Sequence, residues 1–126
     1  MSRMRGQEAL LETLIAEGVE CVFGNPGSTE LGLYDALQDY PGIKFYLGLH
    51  ETVAMAMADG YARVKGKPAV VNVHIAPGLA NSLSMLYNAY CGGTPMVITA
   101  GQQSTDILIQ EPVLAADMVS MAQPFT

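Results

Sequence analysis

Hydrophobic positions in this chain change period along its length. Met4, Leu11, Leu14 and Ile15 recur at helical spacing, and Gly18 sits where a helix stop belongs. Val19–Phe23 then reads as a short buried strand, closed by Gly24-Asn25-Pro26-Gly27. A helix from Ser28 to about Gln38 follows and ends at the turn Asp39-Tyr40-Pro41-Gly42. Ile43–Leu49 predicts a second strand and Glu51–Arg63 a helix rich in Ala and Met. After the turn Lys65-Gly66-Lys67-Pro68, Ala69–His74 predicts a third strand. Leu79, Leu83, Leu86, Tyr87 and Tyr90 line one face of the next helix, which Gly92-Gly93 ends. Pro95–Ala100 predicts a fourth strand, and Leu114–Met121 a short last helix.

Strands that alternate with helices at this interval specify a parallel α/β domain with helices on both faces of the sheet. The near-continuous apolar runs Ala69–Val73 and Met96–Thr99 agree, because parallel strands are buried on both sides. In such a sheet, ligands gather at the carboxyl ends of the strands. Those ends are Gly24-Asn25-Pro26-Gly27-Ser28, His50-Glu51, His74-Ile75-Ala76-Pro77-Gly78 and Gly101-Gln102-Gln103-Ser104. Nearly all the polar side chains suited to chemistry fall in them. A small-molecule site is expected there.

Composition narrows the function classes. The 126 residues suit one domain, and 50% apolar with only 14% charged residues excludes a disordered tail. Six Lys and Arg against twelve Asp and Glu leave a net charge of −6, which argues against nucleic acid and against an anionic membrane surface. No apolar run approaches the ~18 residues of a membrane span. Arg3 and Arg5 precede an apolar stretch, but Glu8, Glu12 and Glu17 punctuate it, so no secretory leader is expected. Cys21 and Cys91 match no metal or redox spacing. They are expected to be buried thiols in a reducing, cytoplasmic compartment. Half-apolar content also suggests an oligomer.

Each candidate residue has a plain and a chemical reading. Ser28 either caps its helix or donates to a carboxylate at the helix N-terminus. Glu51 is a first-turn acid favoured by the helix dipole, or a semi-buried carboxyl that shares a proton with a ring nitrogen. His50 points elsewhere than Glu51 and is read as structural or solvent-facing. His74, at a strand end, is a structural imidazole or a proton carrier near neutral pH. Asn81 caps the following helix or touches a ligand. Asp59-Gly60-Tyr61-Ala62-Arg63 is read as packing and helix termination.

Taken together and in order, these residues are familiar. Val22-Phe23-Gly24-Asn25-Pro26-Gly27-Ser28, His50-Glu51 with Ala58-Asp59-Gly60-Tyr61-Ala62-Arg63, and Pro77-Gly78 with Asn81 resemble the pyrimidine-binding domain of thiamine-diphosphate enzymes, from about Arg5 to Pro124. Asn72-Val73-His74 and Ala100-Gly101-Gln102-Gln103 are most similar to benzoylformate decarboxylases. His50-Glu51 is closer to acetolactate synthases, which normally lack a histidine at the position of His74.

The resemblance implies a three-layer thiamine-diphosphate-binding fold. Residues 1–126 would be the single N-terminal pyrimidine-binding domain of a larger three-domain enzyme, cut before its last helix and strand and inactive alone. It implies a non-oxidative decarboxylase of a small-molecule 2-oxo acid, in which the cofactor serves as electron sink. Glu51 matches the glutamate that hydrogen-bonds N1′ of the aminopyrimidine, His74 the histidine that relays protons, and Ser28 the serine on the substrate carboxylate. Gly27, Gly78 and Asn81 fall around the pyrimidine. No residue here matches a metal ligand: Mg²⁺ (or Ca²⁺) and the diphosphate would sit on a domain absent from this chain, supplied by a partner subunit of a homodimer or homotetramer. Two alternatives stay open, an acetolactate synthase-like carboligase and a non-catalytic α/β interaction domain or small subunit.

Overall fold

Alternate residues of the central strands belong to different cores, and that alternation assembles the layers. The computed structural model describes residues 4–126, so Arg3 lies outside the described residues. Its elements are α1 (Gly6–Ala16), β1 (Cys21–Asn25), a 3-10 turn (Ser28–Glu30), α2 (Leu31–Leu37), β2 (Lys44–Leu47), α3 (Glu51–Lys65), β3 (Ala69–Val73), α4 (Ile75–Cys91), β4 (Met96–Ala100) and α5 (Met118–Ala122). Short 3-10 turns at Leu108–Gln110 and Gln123–Phe125 complete the chain. The strands form one parallel sheet in the order β2-β1-β3-β4.

Cys21, Phe23, Val71 and Val73 point into a core with Ala54, Met55, Ala58 and Ala62 of α3 and Leu79 and Leu86 of α4. Val22 and Val70 point the other way, to Leu11 of α1, Ala36 of α2 and Ile43. The small side chains of α3 let it lie close on the sheet, and each large buried aliphatic contributes roughly 1.5–3 kcal/mol. Helices on both faces of a parallel sheet are the three layers that the periodicity predicts.

Several details differ from the sequence reading. β1 starts later and ends later, because Gly24 and Asn25 still pair with Asn72 and Val73 of β3. β2 is shorter than Ile43–Leu49 and β3 stops before His74. β3 is buried throughout, whereas β4 is one of the two edge strands and Val97 is 44% exposed. Tyr87 and Tyr90 do not join the buried face of α4; both are exposed and stand edge-on to Phe125. The last helix begins at Met118, where the Asp117 carboxylate accepts the Ser120 N–H at 3.1 Å. α3 continues past Arg63 to Lys65, and Asp59 is a buried acid paired with Arg63 at 2.8 Å and with the Thr94 hydroxyl at 2.6 Å. Cys21 is buried as expected, but Cys91 is exposed, because it ends α4 on the outer side just before Gly92-Gly93. Among the described residues no helix is long and apolar enough to cross a membrane.

Candidate active site

The connection from β1 runs to β2 on one side of it, and the chain then returns to β3 on the other. Loops leaving β1 and β3 therefore diverge, and a crevice opens between their carboxyl ends. Asn25 and Val73 are register partners at its floor.

Glu51 opens α3 at this crevice and is only 6% exposed. Its Oε1 accepts from Asn25 Nδ2 at 3.1 Å, and its Oε2 from Asn81 Nδ2 at 2.9 Å. Burial pushes the Glu51 carboxyl up, but the Asn81 amide, its own backbone N–H, the Asn25 amide and His50 outweigh that and hold it below the usual range. Gly78 explains how α4 comes so near: a Cβ there would stand 3.2 Å from Glu51 Oε1. Asn81 does not cap α4, which begins earlier, at Ile75. It sits in the second turn, where the Thr52 hydroxyl donates to its carbonyl and ties α3 to α4.

His74 is the N-cap residue of α4, with no capping bond from its side chain. Its Nδ1 lies 2.8 Å from Glu30 Oε2 and 3.2 Å from Thr29 Oγ1. The imidazole packs flat against Gly27, where any Cβ would overlap the ring. Next to it, Ile75 has φ +45°, a conformation a β-branched residue rarely adopts and one that costs about 1–3 kcal/mol. Complete burial of the Ile75 side chain holds it there.

Ser28 makes no cap bond and is exposed at the mouth of the crevice. The capping role falls to Glu30, whose Oε2 accepts the Gly27 N–H at 2.8 Å. Gly27 thus supplies a backbone donor to Glu30 and a flat seat for His74. His50 is exposed, and its Nδ1 accepts the Thr52 N–H at 3.3 Å, so it only caps α3. Of the fourth loop, Gly101 alone reaches the cluster, by leaving room for Glu30 Oε1. Gln102 and Gln103 turn away and donate to the carbonyls of Ala116 and Val113 at 3.3 and 3.4 Å.

Sequence reasoning missed Asn25, Thr29 and Glu30. The signal for Glu30 was an acid three residues after Gly27, the spacing at which a first-turn carboxylate reaches back to the N-cap N–H. Its burial is the larger surprise. Burial pushes the Glu30 carboxyl up, while Thr29, the Gly27 N–H and His74 together bring it below the usual range. Among the described residues no three His, Cys, Asp or Glu side chains cluster closely enough to hold a metal ion.

The site lies on a chain with known relatives. It is 39% identical over 124 residues to the acetolactate synthase large subunit of Haemophilus influenzae, covering 98% of this chain and 22% of that one. It is 45% identical over 108 residues to the benzoylformate decarboxylase of Pseudomonas aeruginosa, covering 85% of this chain and 20% of that one. The solved thiamine diphosphate-dependent 4-hydroxybenzoylformate decarboxylase of Rhodococcus jostii RHA1 superposes with a TM-score of 0.89 at 39% identity, over 94% of this chain and 22% of that one. The chain thus spans about a fifth of the length of the curated relatives it matches. Residues 4–121 match the family described as thiamine pyrophosphate enzyme, N-terminal TPP binding domain, and the chain belongs to that family.

Proposed function

We propose that residues 1–126 form the pyrimidine-binding domain of a larger, three-domain thiamine-diphosphate-dependent decarboxylase of 2-oxo acids, of the benzoylformate decarboxylase type, and that they are inactive alone. The observation that carries this reading is the convergence of a buried carboxylate, Glu51, and a partnered imidazole, His74, on one switch-point crevice. Gly78 links the two, packing on Glu51 while its N–H bonds the His74 carbonyl at 2.9 Å. An interaction domain needs neither group, and a buried acid is costly without a purpose.

The residues fit the pyrimidine end of the cofactor. Glu51 offers an acceptor at the crevice, and the two asparagines keep its carboxylate oriented. The diphosphate end suits this chain less well, since its net charge of −6 repels a polyanion. We therefore assign the diphosphate and its Mg²⁺ (or Ca²⁺) to oxygen ligands on a domain outside these residues, from a partner subunit of a homodimer or homotetramer. Leu49, 87% exposed beside Glu51, supports a covering surface there. Bound thiamine diphosphate would supply the electron sink for loss of CO₂ from the 2-oxo acid. Glu51 holds a proton between itself and the ring nitrogen, His74 carries protons to and from the substrate, and the Ser28 hydroxyl donates to the substrate carboxylate. The free thiols of Cys21 and Cys91 suit a reducing compartment, which supports a cytoplasmic location.

In the complete enzyme, Glu51→Gln is expected to leave the fold intact and lower turnover by roughly 10²–10⁴-fold, the worth of a placed acid–base group. Steady-state assays with an aromatic 2-oxo acid and with pyruvate test it, and unchanged turnover removes Glu51 from the mechanism. The second reading, an acetolactate synthase-like carboligase, is favoured by the 39% identity to such a subunit over nearly the whole chain. Normal turnover of His74→Ala, with pyruvate as preferred substrate, would decide for it.

A further inference from the structure

We infer that Glu30 is a positioning residue that holds His74 with its proton on Nδ1, leaving Nε2 as the nitrogen that exchanges protons with substrate. The inference rests on His74 serving as the proton carrier.

Glu30 is the least exposed acid of the described residues, at 4%, and it is not spent on helix capping alone. Its Oε2 takes the Gly27 N–H and faces His74 Nδ1, both at 2.8 Å, while Oε1 takes the Thr29 hydroxyl. His74 is 44 residues away in the chain, so only the fold brings it there. The site is shaped for the pair. A side chain on Gly27 would strike the ring, and one on Gly101 would strike Oε1.

The tautomer follows from counting hydrogens. A carboxylate only accepts, so its bond to Nδ1 requires a proton on Nδ1. Thr29 has one hydroxyl hydrogen, and it goes to Glu30 Oε1. Toward Nδ1, at 3.2 Å, the Thr29 oxygen is then left to accept as well. Both neighbours make the same demand, and both polar partners of the ring meet Nδ1. Nε2 of the neutral ring keeps its lone pair. When Nε2 takes a proton from substrate, the imidazolium lies against a buried carboxylate, which stabilises it. When Nε2 returns that proton, the Nδ1 proton stays on its nitrogen and Glu30 stays ionised throughout.

The test uses the complete enzyme as wild type, Glu30→Gln, His74→Ala and the double variant. Glu30→Gln is expected to lower kcat by roughly 10–100-fold, the usual cost of losing an orienting partner, with KM and cofactor affinity little changed. The double variant should be no slower than His74→Ala alone, since Glu30 acts only through the ring. Additive losses, or wild-type kcat in Glu30→Gln, would overturn the inference. A second readout needs no turnover: ¹⁵N spectra of histidine-labelled apoenzyme, with His74 assigned by its absence in His74→Ala. They should show His74 protonated on Nδ1 in wild type and redistributed in Glu30→Gln. An Nδ1 without the proton in wild type refutes the inference, whereas normal turnover of His74→Ala sinks only the relay on which it rests. If Glu30→Gln does not fold, Gly101→Ala replaces it, because the added methyl displaces Oε1. The same redistribution is then expected, and an unchanged spectrum is a refutation.

Discussion

A carboxylate with only 6% exposure stays ionised in this crevice because each of its oxygens accepts from a side-chain amide. Glu51 takes one amide from the strand end, Asn25, and one from the facing helix, Asn81. Removing either leaves a buried charge short of a partner, which costs more than the bond itself was worth. Asn81→Ala is therefore expected to destabilise the domain by about 1.5–3 kcal/mol, in the range of hydrogen bonds to charged groups. The Glu51 carboxyl should also titrate higher, toward its ordinary 4.5, because burial is then less opposed. Urea denaturation and a carboxyl ¹³C titration check the two halves. Unchanged stability would mean that solvent reaches Glu51 more freely than its burial implies.

Helix ends were readable where a single residue type carries the geometry. Gly18 and Gly66 both have positive φ, at +75° and +65°, and close α1 and α3 where the sequence places stops or turns. The Val19 N–H returns to the Leu14 carbonyl at 2.9 Å, which completes the stop after Gly18. At neither glycine would a Cβ meet anything within 4 Å, so a substitution there changes backbone energy alone. Gly18→Ala and Gly66→Ala should each destabilise by about 1–2 kcal/mol. Gly60, inside α3, has equally open surroundings and no positive φ. Gly60→Ala should stabilise by about 0.5–1 kcal/mol, because the helix interior favours alanine. Three urea midpoints decide this, and a loss at Gly60 equal to that at Gly18 would contradict it. Strand ends were less readable, since Gly24 and Asn25 pair only because β3 lies beside them.

Acid should loosen the whole domain. Glu30, Glu51 and Asp59 are buried, yet their partners hold all of them below their ordinary values of 4.5, 4.5 and 3.8. The folded state then binds protons less readily than the unfolded chain. Their stabilisation is complete above the ordinary values and is lost as pH falls through the lower, folded ones. Urea midpoints should owe no slope to these groups above about pH 5.5 and should fall steadily below about pH 4.5. A midpoint that rises on acidification would show that these carboxyls bind protons more tightly when folded. Because Glu30 holds His74 and Glu51 holds Asn25 and Asn81, acid would disorder the site together with the fold.

The alternation of apolar periods determined the layers, the parallel sheet and the loops that carry the chemistry, because burial on two faces leaves a one-dimensional trace in the strands. Glu51 and His74 were legible for the same reason, each standing just beyond a strand. Their partners were not. Asn25 meets Glu51 26 residues on, and Glu30 meets His74 44 residues on, through register and helix packing that no local pattern encodes. Ser28 carried the sequence signature of a cap, yet the capping bond formed at Glu30. Gly27, not Ser28, is the N-cap residue, and the carboxylate three positions on reaches back to its N–H. Cys91 was misjudged because thiol burial depends on which side of α4 faces the sheet, and at the last residue of a helix that is settled by packing, not by residue type.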